Sequence, residues 1–440
     1  MRKLLIFFMI LALALMGAGV VNASTSANKQ AAIDAGLAYL AGDQQGNGSW
    51  INGYGGSEYA QADTGAALLA FTEQYYKPLG WDGKNYLPAV QNAVSYLLGQ
   101  ATTLSLSPAN WWGFNGTGGS GVGLQWTNTN EETYGSGLVI AGLIGLVNNP
   151  SGGAPLVNPS TVITSSVTSN AAVLGLTYGQ VIQKALDSWT WGQSPPSTGN
   201  RYGGWRYFTA QNDSDMSTTQ WPLVNYLLAK GIPGVVIPGT GSQTAAGVNA
   251  FVTACQYPNA AYPSGWPVGS VDYQPGANIL SLTHIGGLLL ANAFTGGGAG
   301  NIANALAYLN AHWTDTANGT WYGNFGNPYA MFALYKGLES QYGTTGAGPI
   351  TNLNPETTPI DPGATWNWWE DMCQWLCQNQ NADGSWSGYQ YWYGDLATAW
   401  DINILNATAF APPSVPLPPS VLLLGSGLLG LLGWRRFKKS

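Results

Sequence analysis

A short signature recurs along this chain: QQGNGSW at 44–50, DTANGTW at 315–321 and QNADGSW at 380–386. Recurrence constrains the fold more than any other feature here, because each copy must sit in the same local setting. Each copy lies between two stretches with apolar residues at helical spacing. AAIDAGLAYLAGDQ precedes Trp50 and ADTGAALLAFTEQ follows it; NIANALAYLNAHW precedes Trp321 and PYAMFALYKGLES follows; WNWWEDMCQWLCQNQ precedes Trp386 and DLATAWDINILNATAF follows. Three looser copies fit the same frame. LPAVQNAVSYLLGQ leads to Trp111-Trp112-Gly113 and then ETYGSGLVIAGLIGLV. YGQVIQKALDSWTW leads to Gly204-Trp205 and then MSTTQWPLVNYLLAKG, and AAGVNAFVTACQ leads to Gly265-Trp266 and then NILSLTHIGGLLLANAF. The reading is an all-α fold of six helical hairpins, twelve helices in all.

The motif has a physical purpose in each loop. Its glycine is expected at positive φ, ending the outer helix. Its Ser or Thr is expected to supply an oxygen to orphan backbone donors. Its tryptophan is expected to bury a large ring between neighbouring hairpins, with the indole N–H finding a partner. Trp50, Trp112, Trp205, Trp266, Trp321 and Trp386 are therefore read as stability residues, one per repeat.

QQGNGSW and QNADGSW fit a Gln-x-x-x-Gly-x-Trp pattern, and GGWRYFTAQNDSDMSTTQW and DLATAW look like entries to inner helices. In these features the chain resembles the QW and prenyltransferase/squalene-oxidase repeats of the terpenoid-cyclase-like α/α toroid, over nearly all of 30–411. The resemblance implies a single ring of six outer and six inner helices spanning 24–411. It carries the fold and not the activity, since that ring hosts unrelated chemistries. Polar segments at 148–173 and 342–364 fit as linkers between repeats, and 411–419 as a stalk.

The two ends read as processing signals. Arg2 and Lys3, the apolar run Leu4–Met16 and the small residues around Val21-Asn22-Ala23 form a secretory signal peptide over 1–23. At the other end a proline motif, an apolar run Val421–Trp434 and the basic residues Arg435, Arg436, Lys438 and Lys439 follow in order. Basic residues after an apolar segment hold that end on the cytoplasmic side, which puts the body outside the inner membrane. The segment 412–440 resembles the PEP-CTERM sorting signal read by exosortase in Gram-negative bacteria that make exopolysaccharide. Val415-Pro416-Leu417-Pro418 matches its Val-Pro-Leu-Pro variant. Signal peptidase and exosortase are the processing partners that these ends imply. The expected localisation is periplasmic during sorting, with transient contact to the inner membrane, then the cell surface or extracellular matrix.

Charge narrows the partners. Fourteen basic residues fall to eight once two in the leader and four in the tail are set aside, against 21 acidic ones. The body has no basic patch to neutralise phosphates, so nucleic acid is not an expected partner. Cys255, Cys373 and Cys377, with His284 and His312, show no metal-ligand spacing, so no metal or cofactor is expected. The cysteines read as buried small apolar residues, with one bridge left open that sequence does not assign.

In the resembling fold the N-terminal ends of the inner helices open on a central cavity. Asp63, Glu131, Glu132, Asp213, Asp215, His284 and Asp395 fall there. Asp213, Asp215, Glu132 and Asp395 are the candidates for acid–base work, and Asp63, Glu131 and His284 for ligand binding. The same residue types before a helix also serve as caps and as favourable charges for its dipole. NDSDMST is the sharpest motif. Against the Asp-x-Asp-Asp of class II terpene cyclases, Asp213 and Asp215 fit the first and third positions, and Met216 stands in the last.

Two functions stay open. One is a non-catalytic exported protein whose ring binds a ligand such as exopolysaccharide. The other is an enzyme on the ring, either a glycan lyase or hydrolase or a degenerate cyclase. The processing signals can be tested directly. Intact-mass measurement on the exported protein from a cell with exosortase is expected to give a chain that begins near Ser24 and lacks Trp434–Ser440. A mature species that keeps those last residues would replace sorting with a plain membrane anchor.

Overall fold

The computed structural model describes residues 27–51, 59–77, 80–81, 83–127, 131–150, 153–209, 211–258, 266–316, 323–355, 359–360 and 363–407. The leader at 1–23, the sorting segment at 412–440 and Trp321 lie outside them. Within the described residues the chain is mostly helical, an all-α fold with twelve α-helices. They are α1 (Ala27–Asp43), α2 (Ala60–Tyr75), α3 (Leu87–Gln100), α4 (Glu132–Val147), α5 (Tyr178–Gly192), α6 (Met216–Leu228), α7 (Gln243–Cys255), α8 (Leu282–Thr295), α9 (Ile302–Ala311), α10 (Pro328–Tyr342), α11 (Trp368–Asn379) and α12 (Asp395–Asn406). None of the described helices is long and apolar enough to cross a membrane.

The even-numbered helices are nearly buried on all sides, whereas the odd-numbered ones are amphipathic. A helix apolar all round belongs inside, and one with a single apolar stripe belongs outside. The inner helices pack in sequence, α2 on α4, α4 on α6, α6 on α8, α8 on α10 and α10 on α12, and α12 packs on α2. Small residues permit the closest of these contacts. A Cβ on Gly65 of α2 would collide with the backbone of α4 at Leu138.

The recurring loop does two jobs. First, its tryptophan ties together the helices of its own hairpin. Trp50 donates its indole N–H to the Leu40 carbonyl of α1 at 2.7 Å and its backbone N–H to Thr64 Oγ1 of α2 at 3.0 Å. Trp205 makes the same pair of bonds to Trp189 O (2.8 Å) and Thr219 Oγ1 (3.1 Å), and Trp386 to Leu376 O (2.9 Å) and Thr398 Oγ1 (3.2 Å). In the second hairpin these bonds are made by Trp126, to Leu97 O (2.6 Å) and Ser136 Oγ (3.0 Å), and not by Trp112. Trp112 instead sits half-buried in a surface cluster with Trp111 and Phe114. That cluster belongs to an insertion that sequence periodicity does not reveal, a two-stranded antiparallel ribbon of β1 (Thr102–Ser105) and β2 (Val122–Gln125) that packs on α5.

Second, at three junctions the glutamine ties one hairpin to the next. Gln44 Nε2 donates to Gly48 O in its own loop (3.1 Å) and to Ala89 O of α3 (2.9 Å). Gln193 bridges Gly203 O (2.6 Å) and Thr244 O of α7 (2.9 Å). Gln380 bridges Gly384 O (2.9 Å) and Ala32 O of α1 (2.8 Å), joining the last hairpin to the first. The same seam holds a buried ion pair, Lys29 Nζ to Glu370 Oε1 at 2.5 Å, with the ammonium 3.9 Å above the Trp369 ring. The glycines do not end the outer helices, since Gly48 lies beyond the end of α1 at Asp43. Gly203 takes φ of +93°, and its missing Cβ lets the loop touch the backbone of Gly247 on α7. The serines do not accept from backbone donors either. Ser49 and Ser385 donate to Asn47 and Asp383, whose side chains close the turn.

In the fourth hairpin the motif is displaced. Gly269-Ser270-Val271 takes the place of the loop, with Val271 buried and Gln256 bonded to Asn301 at the start of α9. Trp266 lies three residues before that glycine and is half-buried. Cys255 and Cys373 are buried as expected for small apolar residues, and Cys377 is half-buried.

Two substitutions test these loops. Trp386→Ala is expected to cost about 3–5 kcal/mol, the usual cost of deleting a buried Trp. Gly203→Ala is expected to cost more than about 1 kcal/mol, because it adds strain at positive φ to a backbone clash. Chemical denaturation of both variants checks this, and a loss under about 1 kcal/mol for either would remove its loop from the set of ties.

Candidate functional site

The first turns of the inner helices meet around one cavity of about 600 Å³. Ala62 of α2, Tyr134 and Leu138 of α4, Ser217 of α6, Thr283 and His284 of α8, Tyr329 of α10, and Leu396 and Trp400 of α12 all line it. Loop residues Glu131, Tyr207, Tyr273 and Trp392 complete much of the wall. Aromatic rings dominate. Tyr329 stacks on Trp221 with centroids 6.1 Å apart and planes 12° apart, and Phe332 on Trp400 at 5.3 Å and 15°. The Trp392 ring lies 4.6 Å from that of Tyr329. Sequence reasoning picked out the acids and named none of these rings. The available signal was the tyrosine in the opening turn of α4 and of α10, the third and the second residue of their inner runs.

Two of the sequence candidates line the cavity, Glu131 and His284. Among the described residues Glu131 is the one carboxylate that lines the cavity. Burial, followed by the charge of Asp215, pushes its carboxyl above the usual range. His284 is buried, and its Nδ1 lies 3.2 Å from the Val271 carbonyl. A carbonyl only accepts, so Nδ1 carries the proton and Nε2 is left as the acceptor. Burial lowers the imidazole to about 4, which makes it neutral at physiological pH.

The remaining acids stand behind the wall or outside it. Asp215 is fully buried and caps α6, with Oδ1 accepting from Thr218 N at 2.7 Å and Ser217 Oγ at 2.5 Å. Its Oδ2 accepts from Arg206 Nη1 at 2.7 Å. Burial pushes its carboxyl up, and Ser217, Arg206 and Thr218 pull it back. Asp213 accepts from Arg201 at 2.9 Å, on the protein's outer side. Glu132 turns away to Thr209, which donates both its hydroxyl and its backbone N–H. Asp395 opens α12 and is buried; burial first, then the charges of Asp43 and Asp63, holds its carboxyl well above the usual range. Asp63 is buried in the first turn of α2. Among the described residues no group of three or more His, Cys, Asp or Glu side chains is placed to hold a metal ion.

A buried neutral histidine gives a defined pH dependence. Its folded pKa lies below the unfolded value near 6.5, so its contribution is whole above about 6.5 and is lost as pH falls toward 4. The raised carboxyls act in the opposite sense, so the histidine must be read by difference. Denaturation of wild type and His284→Gln between pH 7 and 4 is expected to show a steeper loss for wild type, by up to about 1.4 kcal/mol per pH unit. Parallel profiles would mean that His284 is solvated. No protein-family model matches this chain, and no curated protein has a matching sequence.

Proposed function

We propose that the chain is a closed α/α toroid of the terpenoid-cyclase-like kind, exported and sorted by exosortase, whose central cavity binds carbohydrate without turning it over. The returning order of inner-helix contacts and the Gln380 bond to α1 support the toroid. The observation that carries the binding reading is the cavity wall, Tyr and Trp rings with the carboxylate of Glu131 among them. Aromatic faces pack against the C–H faces of sugar rings, and phenols and a carboxylate suit their hydroxyls. The setting fits an exported protein sorted in bacteria that make exopolysaccharide, and exopolysaccharide is the expected ligand.

The chemistry of the acids supports binding over catalysis. Hydrolysis of a glycosidic bond uses two carboxyls flanking the bond, and among the described residues of this wall Glu131 is the one carboxylate. A cyclase acid must hold a proton toward its substrate. Asp215 instead spends its oxygens on a helix cap and a guanidinium.

Calorimetric titration of the mature protein with neutral and acidic oligosaccharides is expected to give saturable binding. Trp392→Ala is expected to weaken it about tenfold or more, since one stacked ring is worth on the order of 1–1.5 kcal/mol. Mass spectrometry after incubation should return the glycans, and squalene, unchanged. Released fragments or a cyclised product would make the protein an enzyme. Absence of binding across the glycan panel would end the carbohydrate reading.

A further inference from the structure

Asp215 does not line the cavity, yet it is linked to it by an unbroken chain of hydrogen bonds. Arg206 Nη1 donates to Asp215 Oδ2 at 2.7 Å and lies 2.8 Å from the Tyr273 hydroxyl. The Tyr273 hydroxyl lies 2.6 Å from that of Tyr207. The guanidinium also covers both rings, 4.4 Å from the Tyr207 centroid and 5.3 Å from that of Tyr273. Tyr207 and Tyr273 both line the cavity.

The Arg206 end of this chain has a fixed direction, and the two hydroxyls share one bond in which either can donate. A guanidinium has donors only, so Arg206 donates both to Asp215 and to Tyr273. The two phenols bring two protons. One bridges the pair. Arg206 already occupies a lone pair of Tyr273, and among the described residues the two hydroxyls make no other hydrogen bond to protein. The second proton is left for whatever fills the cavity.

We infer that Asp215 is a positioning residue, which through Arg206 turns the Tyr207–Tyr273 pair into an oriented hydrogen-bond donor for an acceptor oxygen of a neutral sugar. The inference rests on the carbohydrate reading of the same cavity and names its ligand more closely. Glu131, when ionised, accepts from sugar hydroxyls. The Tyr pair donates to a sugar oxygen, and Trp392 and Tyr329 take the ring faces. An acidic sugar would bring its charge against Glu131, and a cationic one would bring its charge against Arg206.

The test has two arms. In the first, protein carrying [ζ-13C]tyrosine is examined by NMR without ligand, with Tyr207→Phe and Tyr273→Phe as assignments. Asp215→Asn keeps the helix cap, since Asn caps as well as Asp, and removes the nearer of the two carboxylates beside Arg206, the other being Asp213 with its Oδ2 3.6 Å from Nε. It is expected to shift the Tyr207 and Tyr273 signals together while the Tyr96 signal stays in place. Arg206→Gln, which leaves the cap intact, is expected to do the same and serves if the first variant does not fold. Unmoved signals would overturn the relay. In the second arm, maltotriose, cellotriose, chitotriose and an oligouronate are titrated by calorimetry. Tyr273→Phe and Asp215→Asn are each expected to weaken the best neutral ligand about tenfold, and the double variant no more than either alone, as for two members of one unit. Multiplying losses, or tighter binding of the uronate, would overturn the inference. If no glycan binds wild type, the carbohydrate reading falls, and the NMR arm still decides whether Asp215 orients the pair.

Discussion

At three junctions of this protein an outer helix is held to the next by an amide side chain just past its C-terminal end. Gln44, Gln193 and Gln380 each reach from their own loop to a carbonyl in the following outer helix. The bond is modest taken singly, since a neutral hydrogen bond is worth about 1 kcal/mol net. Its force lies in geometry. A buried amide reaching two backbone carbonyls fixes where the next helix starts, and the bare glycine beside it fixes how close that helix comes. The tryptophan sets the spacing within each hairpin, and the glutamine sets the step between hairpins.

Those two distances determine the cavity. Because all the inner helices enter from the same end, their opening turns converge, and the side chains in those turns become neighbours although they are far apart in sequence. Tyr134 and Tyr329 stand 6.2 Å apart in this way, from helices α4 and α10. The rings need no local motif to find each other. The frame delivers them.

The twelve helices were legible because apolar periodicity is a local signal, and the α3 and α4 stretches match their helices residue for residue. The loop motif was legible as a repeat, and so was the buried, hydrogen-bonded tryptophan at Trp50, Trp205 and Trp386, but the serine's bonding and the helix-ending work of the glycine were not as expected. Nothing in a single sequence tells that Ser49 donates to Asn47 or that Gln44 crosses to Ala89, because both depend on what the loop meets in space. Trp112 and Trp126 are both loop tryptophans before α4, and only the insertion of the β-ribbon separates them. The acids failed for a related reason. Glu131 and Glu132 are adjacent, and the helix start sends one into the cavity and the other to Thr209. That is a choice of rotamer and register, and sequence spacing does not encode it.

The buried pair of Lys29 and Glu370 bears on how the chain is made. The partners are 341 residues apart, one in the first described helix and one in the eleventh. A lysine emerges early, and its carboxylate emerges only when nearly the whole domain is out. Until then the Glu370 partner of Lys29 is missing and α1 lacks its α11 neighbour, so an ammonium destined for a dry interior stays in water. The seam can close only once α11 has been made. A truncated chain would keep an ionised group and an open helix face accessible to proteases, and would be cleared more readily than the finished protein.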